Sequence, residues 1–217
     1  MALTKVTSGV IADGAVPTTG IVGVSTFTAS GTWTKATRES ALGVTISKVI
    51  VEVQGGGSSG SDGNANNARH THGGSGGYAK KLIDVSSISS ATITVGAGGA
   101  GVTSYPSNAG GDSIWSDGTN TVTGGGAGAA GTADYTGGVG GTASGGDLNI
   151  NGRHGGGYST YSGTDSMFGF GGNYGTSTAA TNSFEPTGYG SGSSGLYGNG
   201  TTKDAKDGIV IVTEIAG

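Results

Sequence analysis

Apolar positions follow strand-like patterns in two separated stretches of the chain, alternating in the first and continuous in the second, and between them the pattern fades. The first stretch runs over residues 22–54. Within it Ser25-Thr26-Phe27-Thr28-Ala29-Ser30-Gly31-Thr32-Trp33-Thr34 is β-branched and aromatic around a Ser-Gly turn, which predicts a hairpin. Val44-Thr45-Ile46 alternates, and Val49, Val51 and Val53 alternate with Ile50 and Glu52. The parity changes near Ser47-Lys48, so a bulge or short break there would return the apolar face to the core. Residues 35–42 are the one run of helix-compatible composition, long enough for a turn or two. The second stretch, 208–215, is a continuous apolar run of strand length, the pattern of a strand buried on both faces or lying in the centre of a sheet. Its expected partner is the strand at 49–53. Weaker strands are expected at 79–85, 91–95, 113–115 and 121–123.

This pattern predicts an all-β fold: a small β-sandwich or jelly-roll-like unit closed by its first and last strands. The expected core strands fall within 25–54, 79–95, 113–123 and 208–215, and long Gly-rich recognition loops fill 55–77, 97–111 and 124–200. Residues 1–24 are expected to form an attachment or trimerisation segment ahead of the glycine-rich β domain at 25–217.

Composition sharpens the picture. Of 217 residues 50 are Gly, 26 Ser and 29 Thr, whereas Val, Ile, Leu and Phe together number 37. So few core formers can seal only one modest core. A formal net charge of −4 with 11% charged residues leaves little self-repulsion, so the shortage does not by itself imply disorder. Three prolines exclude collagen, and no cysteine means no disulfide, thiolate metal site or cysteine nucleophile. Lys and Arg are too thinly spread for nucleic acid. Without an apolar signal block, the chain is expected to be soluble and made in a cytoplasm.

The glycines are regional: 42 of them lie between Gly55 and Gly200. From 155 to 200 the aliphatic residues reduce to Leu196 and the charged ones to Asp165 and Glu185. Yet this window carries Tyr158, Tyr161, Phe168, Phe170, Tyr174, Phe184, Tyr189 and Tyr197. It is either a low-complexity segment or a backbone-packed glycine structure that presents aromatics. Glycine chains in the polyproline II geometry repeat every three residues, and without Cβ atoms they can approach closely enough to hydrogen-bond sideways. Runs such as Gly124-Gly125-Gly126-Ala127-Gly128 and Gly137-Gly138-Val139-Gly140-Gly141 suit that packing.

The order of these pieces resembles a known family. Residues 27–34, the 44–53 strand, Gln54-Gly55-Gly56-Gly57, Gly76-Gly77-Tyr78-Ala79, Ile93-Thr94-Val95-Gly96-Ala97-Gly98-Gly99, Gly110-Gly111-Asp112-Ser113 and the closing 208–212 run look like the glycine-rich domain of bacteriophage tail fibre and receptor-binding (adhesin) proteins. The resemblance covers roughly residues 24–126 and the last ten. One departure is the run Lys35-Ala36-Thr37-Arg38-Glu39, where the family usually has a Pro after the Trp strand. Residues 1–16 are similar to short segments of phage fibre proteins. What the resemblance implies is a virion component made in the host cytoplasm, a homotrimer, joined to other tail or virion proteins through residues 1–24. Its Gly-rich loops would meet a host surface polysaccharide or outer-membrane protein.

Candidate contacts on that reading are Tyr158, Tyr161, Phe168, Phe170, Tyr174, Phe184 and Tyr189, because rings on a Gly/Ser scaffold offer rigid contact area at little entropic cost. The alternative is that the rings pack on glycine backbone as a small core. Arg69-His70-Thr71-His72 places two imidazoles on one side of an extended strand, and around a threefold axis His70 and His72 would supply six nitrogens to a metal. An exposed polar loop is the plainer reading of the same residues. Gly-x-Gly-x-x-Gly matches carry no information in a chain this rich in glycine, and no Gly-Lys-Ser/Thr follows. Asp112, Asp117, Asp134, Asp147 and Asp165 sit in Gly-rich turns without the spacing of a Ca²⁺ site or of paired hydrolytic carboxylates. The sequence thus predicts a non-enzymatic adhesin with no cofactor. Its rivals are a purely structural virion part (head fibre, decoration protein or tail connector) and a glycan-degrading spike enzyme.

Overall fold

The computed structural model describes residues 19–63, 70–130, 136–157, 162–172, 185–197 and 200–217. The chain order is β1 (Gly20–Phe27), β2 (Gly31–Thr34), α1 (Lys35–Leu42), β3 (Ile46–Gln54), β4 (Asp62–Gly63), β5 (Tyr78–Asp84), β6 (Ser90–Thr94), β7 (Ser113–Ser116), β8 (Thr121–Gly124), β9 (Ala143–Ser144), β10 (Leu148–Ile150), β11 (Leu196–Tyr197) and β12 (Ile209–Ala216). Two antiparallel five-stranded sheets, ordered β1-β12-β3-β5-β10 and β2-β6-β7-β8-β9, form a β-sandwich, and β4 and β11 make a short parallel pair. The first strand pairs with the last, and β12 lies between β1 and β3, as its unbroken apolar run predicts. The parity change is a bulge: Ile215 faces Lys48 and Ala216 faces Ile46, leaving Ser47 over.

The expected hairpin at 25–34 is not formed. β12 takes the edge of β1 and β6 takes the edge of β2, so the Ser-Gly turn is a corner between the two sheets. The run at 35–42 is α1, closed by Gly43 at φ 70°, a left-handed cap whose N–H bonds to Glu39 O. β1 also begins at Gly20, earlier than the domain start expected at residue 25.

Alternation in β3 and β12 turns Val49, Val51, Val53, Val210 and Val212 inward against Trp33, Ile93, Trp115 and Val122 of the second sheet. The Trp33 and Trp115 rings lie 5.4 Å apart at 49°. Glu214 shares that inner face and is fully buried. A buried carboxylate needs partners. Its Oε1 accepts from Ser25 Oγ at 2.6 Å, Trp33 Nε1 at 3.3 Å and Arg38 Nε at 2.8 Å, while Oε2 accepts from Arg38 Nη2 at 3.3 Å. One acid therefore ties β1, β2, α1 and β12 together at one pole of the sandwich. Gly23 makes room, since a Cβ there would meet Glu214 Oε2 at 2.7 Å.

At the opposite pole the strand ends open into glycine. Gln54, Tyr78, Ile150 and Ile209 are aligned across the first sheet, and Gly124 with Ser113 and Ala143 across the second. From there the segments run on as extended backbone joined sideways. Gly55, Gly56 and Gly57 donate their N–H groups to Gly77, Gly111 and Lys206 carbonyls, three different neighbours. Ser58 and Ser59 then return to the first two of those segments at Gly74 and Asn108. The same three-residue step links Gly73 and Gly76 to Ser193 and Gly190, Gly125 and Gly128 to Thr142 and Val139, and Thr202, Ala205 and Gly208 to Val102, Gly99 and Gly96. Where an N–H meets no carbonyl, serine supplies the acceptor: Gly74 N–H to Ser58 Oγ at 2.8 Å, Asn108 N–H to Ser59 Oγ at 2.9 Å, Gly60 N–H to Ser193 Oγ at 2.9 Å.

Much of this lattice is interior. Residues 55–62 and 70–77, within a segment expected as a recognition loop, are buried and face no solvent, because their backbones are saturated by neighbours on several sides.

Two outcomes follow for stability. A methyl at Gly76 would overlap Gly55 backbone, whereas at Gly31 the nearest atom is Phe27 Cδ1 at 3.9 Å. Gly76→Ala should therefore cost about 3 kcal/mol or more and Gly31→Ala about 0.5 kcal/mol or less in urea unfolding. Arg38→Ala, which strands the Glu214 charge in the core, should cost about 3 kcal/mol, and adding Glu214→Leu should recover part of that loss. Equal effects at both glycines, or no recovery in the double variant, would contradict this packing.

Candidate functional site

Between lattice positions 164 and 172 and ahead of Gly190, residues 165–171 and 185–189 stand out from the lattice and fold against each other beside the first sheet. Phe168 bridges to Tyr189 and Ser166 to Gly169, while Thr187 N–H bonds to Phe170 O at 3.0 Å. The backbones cross where Gly169, at φ 149°, meets Gly188: a Cβ on Gly169 would lie 2.6 Å from Gly188 Cα. Only paired glycines permit that crossing. Side chains lock it further. Ser166 Oγ donates to Tyr189 O at 2.6 Å and accepts from Phe168 N–H at 3.1 Å, and Ser191 Oγ donates to Gly169 O at 3.1 Å. Asp165 Oδ1 accepts from Gly171 N–H at 2.9 Å.

The result is a small rigid knob with its apolar side chains outward. Phe170 is 73% exposed, Met167 56% and Tyr189 40%. Phe168 instead turns inward on Tyr78, ring centroids 6.0 Å apart at 58°. Tyr78 donates its hydroxyl to Glu52 Oε1, and Lys80 stands 3.5 Å from the same carboxylate. Burial, with the Glu52 hydrogen bond and charge, pushes the Tyr78 phenol well above its ordinary value, so it stays a protonated donor.

Of the seven candidate aromatics, three are therefore brought together: Phe170 and Tyr189 as exposed rings and Phe168 packed on Tyr78. Tyr158, Tyr161, Tyr174 and Phe184 lie outside the described residues. Within the described part of the aromatic window, one ring packs and two are exposed. Sequence reasoning missed Met167, whose exposure depends on the Ser166–Gly169 turn.

Beside the knob is a cleft of about 190 Å³. Its floor is the row Gln54, Tyr78, Ile150 on the outer face of the first sheet, and its walls include Arg153 from the lattice and Asp165 from the knob. No motif marks this place, because it forms where three distant segments meet.

His70 and His72 are not an exposed loop. Both are buried, their rings 5.6 Å apart edge to face, and His72 Nδ1 accepts from Gly195 N–H at 3.0 Å. Among the described residues no group of three or more His, Cys, Asp or Glu is placed to hold a metal. The scattered aspartates instead accept backbone N–H bonds. Asp112 takes Gly126, Asp117 takes Thr119 and Asn120, and Asp147 takes Leu82. The Leu82 N–H holds the Asp147 carboxyl below the usual carboxylate range. Asp134 lies outside the described residues.

The chain matches no family model and no curated protein.

Proposed function

We propose that this chain is a bacteriophage tail fibre component, a non-enzymatic adhesin whose knob at 165–170 and 187–190 touches a receptor on the host surface. The observation that carries the reading is the outward display of Phe170, Met167 and Tyr189 on backbone held by glycine crossings and serine hydrogen bonds. Exposed aromatics on a rigid frame lose little entropy on binding, which is what a weak, repeated surface contact requires. The polar partner of the contact is a surface polysaccharide or an outer-membrane protein. In this reading the lattice is a bundle of polyglycine II helices, in keeping with the three-residue step of its lateral bonds.

The working form is a homotrimer joined to the virion through residues 1–24. Self-association is supported by the outer face of the first sheet, where Val24, Thr213, Ile50 and Leu82 stand in one row across four strands. Val24 is 55% and Leu82 51% exposed, with Ile21 beside them at 69%, an apolar surface of the kind that copies of a chain cover. A structural virion part without receptor contact is the second reading, favoured by the burial of 55–62 and 70–77, which gives the lattice a spacer's stiffness.

Purified protein should run as a multimer in light scattering, and a monomer at micromolar concentration would overturn the trimer. Labelled protein should bind host cells. The Phe170→Ala/Tyr189→Ala double variant should lose binding about tenfold or more with its thermal unfolding unchanged, since both rings are exposed. Full binding by that variant would remove the knob from the contact.

A further inference from the structure

We infer that His72 is an acid-sensitive latch: as a neutral imidazole it holds residues 193–197 in the lattice, and on taking up a proton it releases them. The inference concerns how the fold holds one limb of the knob, and it does not need the adhesin reading.

One hydrogen bond carries it. Gly195 donates its N–H to His72 Nδ1 at 3.0 Å, inside the lattice, where His72 is fully buried. A backbone N–H can only donate, so Nδ1 is the acceptor and the ring's one proton sits on Nε2. A second proton would turn Nδ1 into a donor aimed at a donor. Gly195 N–H would lose its acceptor, and an imidazolium would stand in a buried place. The closed lattice therefore takes only the neutral ring, whereas the same side chain released to water protonates near the ordinary histidine value of ~6.5. A base held neutral in the closed form takes up its proton on opening. Opening is then indifferent to pH above ~6.5 and becomes easier as the pH falls below it.

The groups around the ring do not reverse that sign. His72 N–H donates to Gly156 O, Gly138 N–H donates to His72 O, and Ser61 pairs with Thr71 beside it, so residues 60–62, 137–139, 155–157 and 193–196 pack around it. Among the described residues, the titratable groups on or next to these segments and its own are His70, Asp62, Arg153 and His154, of which the last two are exposed. The His70 ring stands 5.6 Å away, edge to face, so a charge on either ring opposes one on the other. Asp62 lies across the Ser61–Thr71 bridge from His70, not from His72, and its Oδ2 accepts Gly200 N–H at 3.1 Å. Burial pushes the Asp62 carboxyl above its usual range. A raised carboxyl favours the closed form as it protonates, an opposite effect that belongs to the carboxylate range and leaves the window between about pH 7.5 and 5.5 to His72.

What the latch holds is the limb that leaves the knob. Ser193 N–H donates to Ser58 O, Gly60 N–H to Ser193 Oγ and Leu196 N–H to Ser61 O, while Ser191 Oγ ties the same stretch to Gly169 O under the knob. Carbonyls and hydroxyls do not titrate in this range, so the Gly195 bond is the one that acid reaches. The sandwich has no part in these bonds and stays closed.

The test is amide hydrogen exchange on the full chain at pH 7.5 and 5.5, read as protection factors corrected for the intrinsic pH dependence of exchange. Protection at Gly195 and Leu196 should fall about tenfold between the two, the ratio set by a histidine that protonates near ~6.5 only in the open form, while Val51 and Val212 keep theirs. His72→Asn places an amide oxygen, an acceptor that does not titrate, where Nδ1 stands, and should hold Gly195 equally at both. Should that variant not fold, the ring nitrogen shifts of the wild-type protein decide: Nδ1 should be the bare nitrogen at both pH values. Unchanged protection at Gly195, a fall that survives in His72→Asn, or a proton on Nδ1 while Gly195 stays protected would each overturn the latch. None of these measurements involves a receptor, so their failure leaves the adhesin reading standing, and a lack of host-cell binding leaves the latch.

Discussion

The rest of the structure depends on how closely two backbones can approach when neither carries a Cβ. A side chain at Gly55, Gly56, Gly57, Gly73 or Gly76 would fall on the carbonyl or peptide of the neighbouring segment. Without it, that carbonyl is near enough to accept an N–H. In a three-residue repeat successive N–H groups point about 120° apart, so one segment binds three neighbours in turn, and Gly55, Gly56 and Gly57 do so. Backbone polar groups that would be costly to bury are then satisfied inside a unit with almost no apolar core. Serine completes the scheme, because its hydroxyl accepts where no carbonyl is in line, as at Ser58, Ser59, Ser75 and Ser193. The Gly and Ser content is the composition of this lattice.

Such a lattice does not order itself cheaply, since glycine loses more backbone freedom on folding than any other residue. The sandwich reduces that cost by fixing the ends. Gly55 continues β3, Gly77 precedes β5, Gly125 follows β8 and Gly208 precedes β12, so short segments start and finish at one pole in a register the sheets already impose. The Glu214 cluster holds the other pole, where helix, first, second and last strands converge on one carboxylate. A buried charge is a poor source of stability compared with apolar packing, but it specifies which strands come together. Here it joins β1 and β2 at the point where they part into different sheets.

That parting is what the amino-acid pattern could not reveal. Alternation in 46–54 and the apolar run at 209–216 were legible because they report burial directly, and the bulge at Ser47 was legible as a parity change. A Ser-Gly pair between two β segments reads alike whether the strands pair with each other or with β12 and β6. The buried role of 55–62 was hidden for a related reason: glycine in a surface loop and glycine in a close-packed lattice have the same sequence signature, and only the neighbours differ. The site was half legible. Aromatics within a glycine field stand out, but that Phe168 packs while Phe170 is displayed depends on the crossing of Gly169 over Gly188, between segments distant in sequence.

A frame held by backbone leaves its tips free. In a side-chain core, changing an exposed loop strains the packing beneath it; in this lattice the bonds below the knob run between main-chain atoms and serine hydroxyls, indifferent to what stands at positions 167, 170 and 189. Phe168 is the exception, because it rests on Tyr78 and so couples the knob to the sandwich. The same division separates the frame from what it displays: glycines and serines set whether the knob exists, and three exposed side chains set the surface it presents. Parts that share so few atoms let the exposed side chains change without disturbing the fold beneath them.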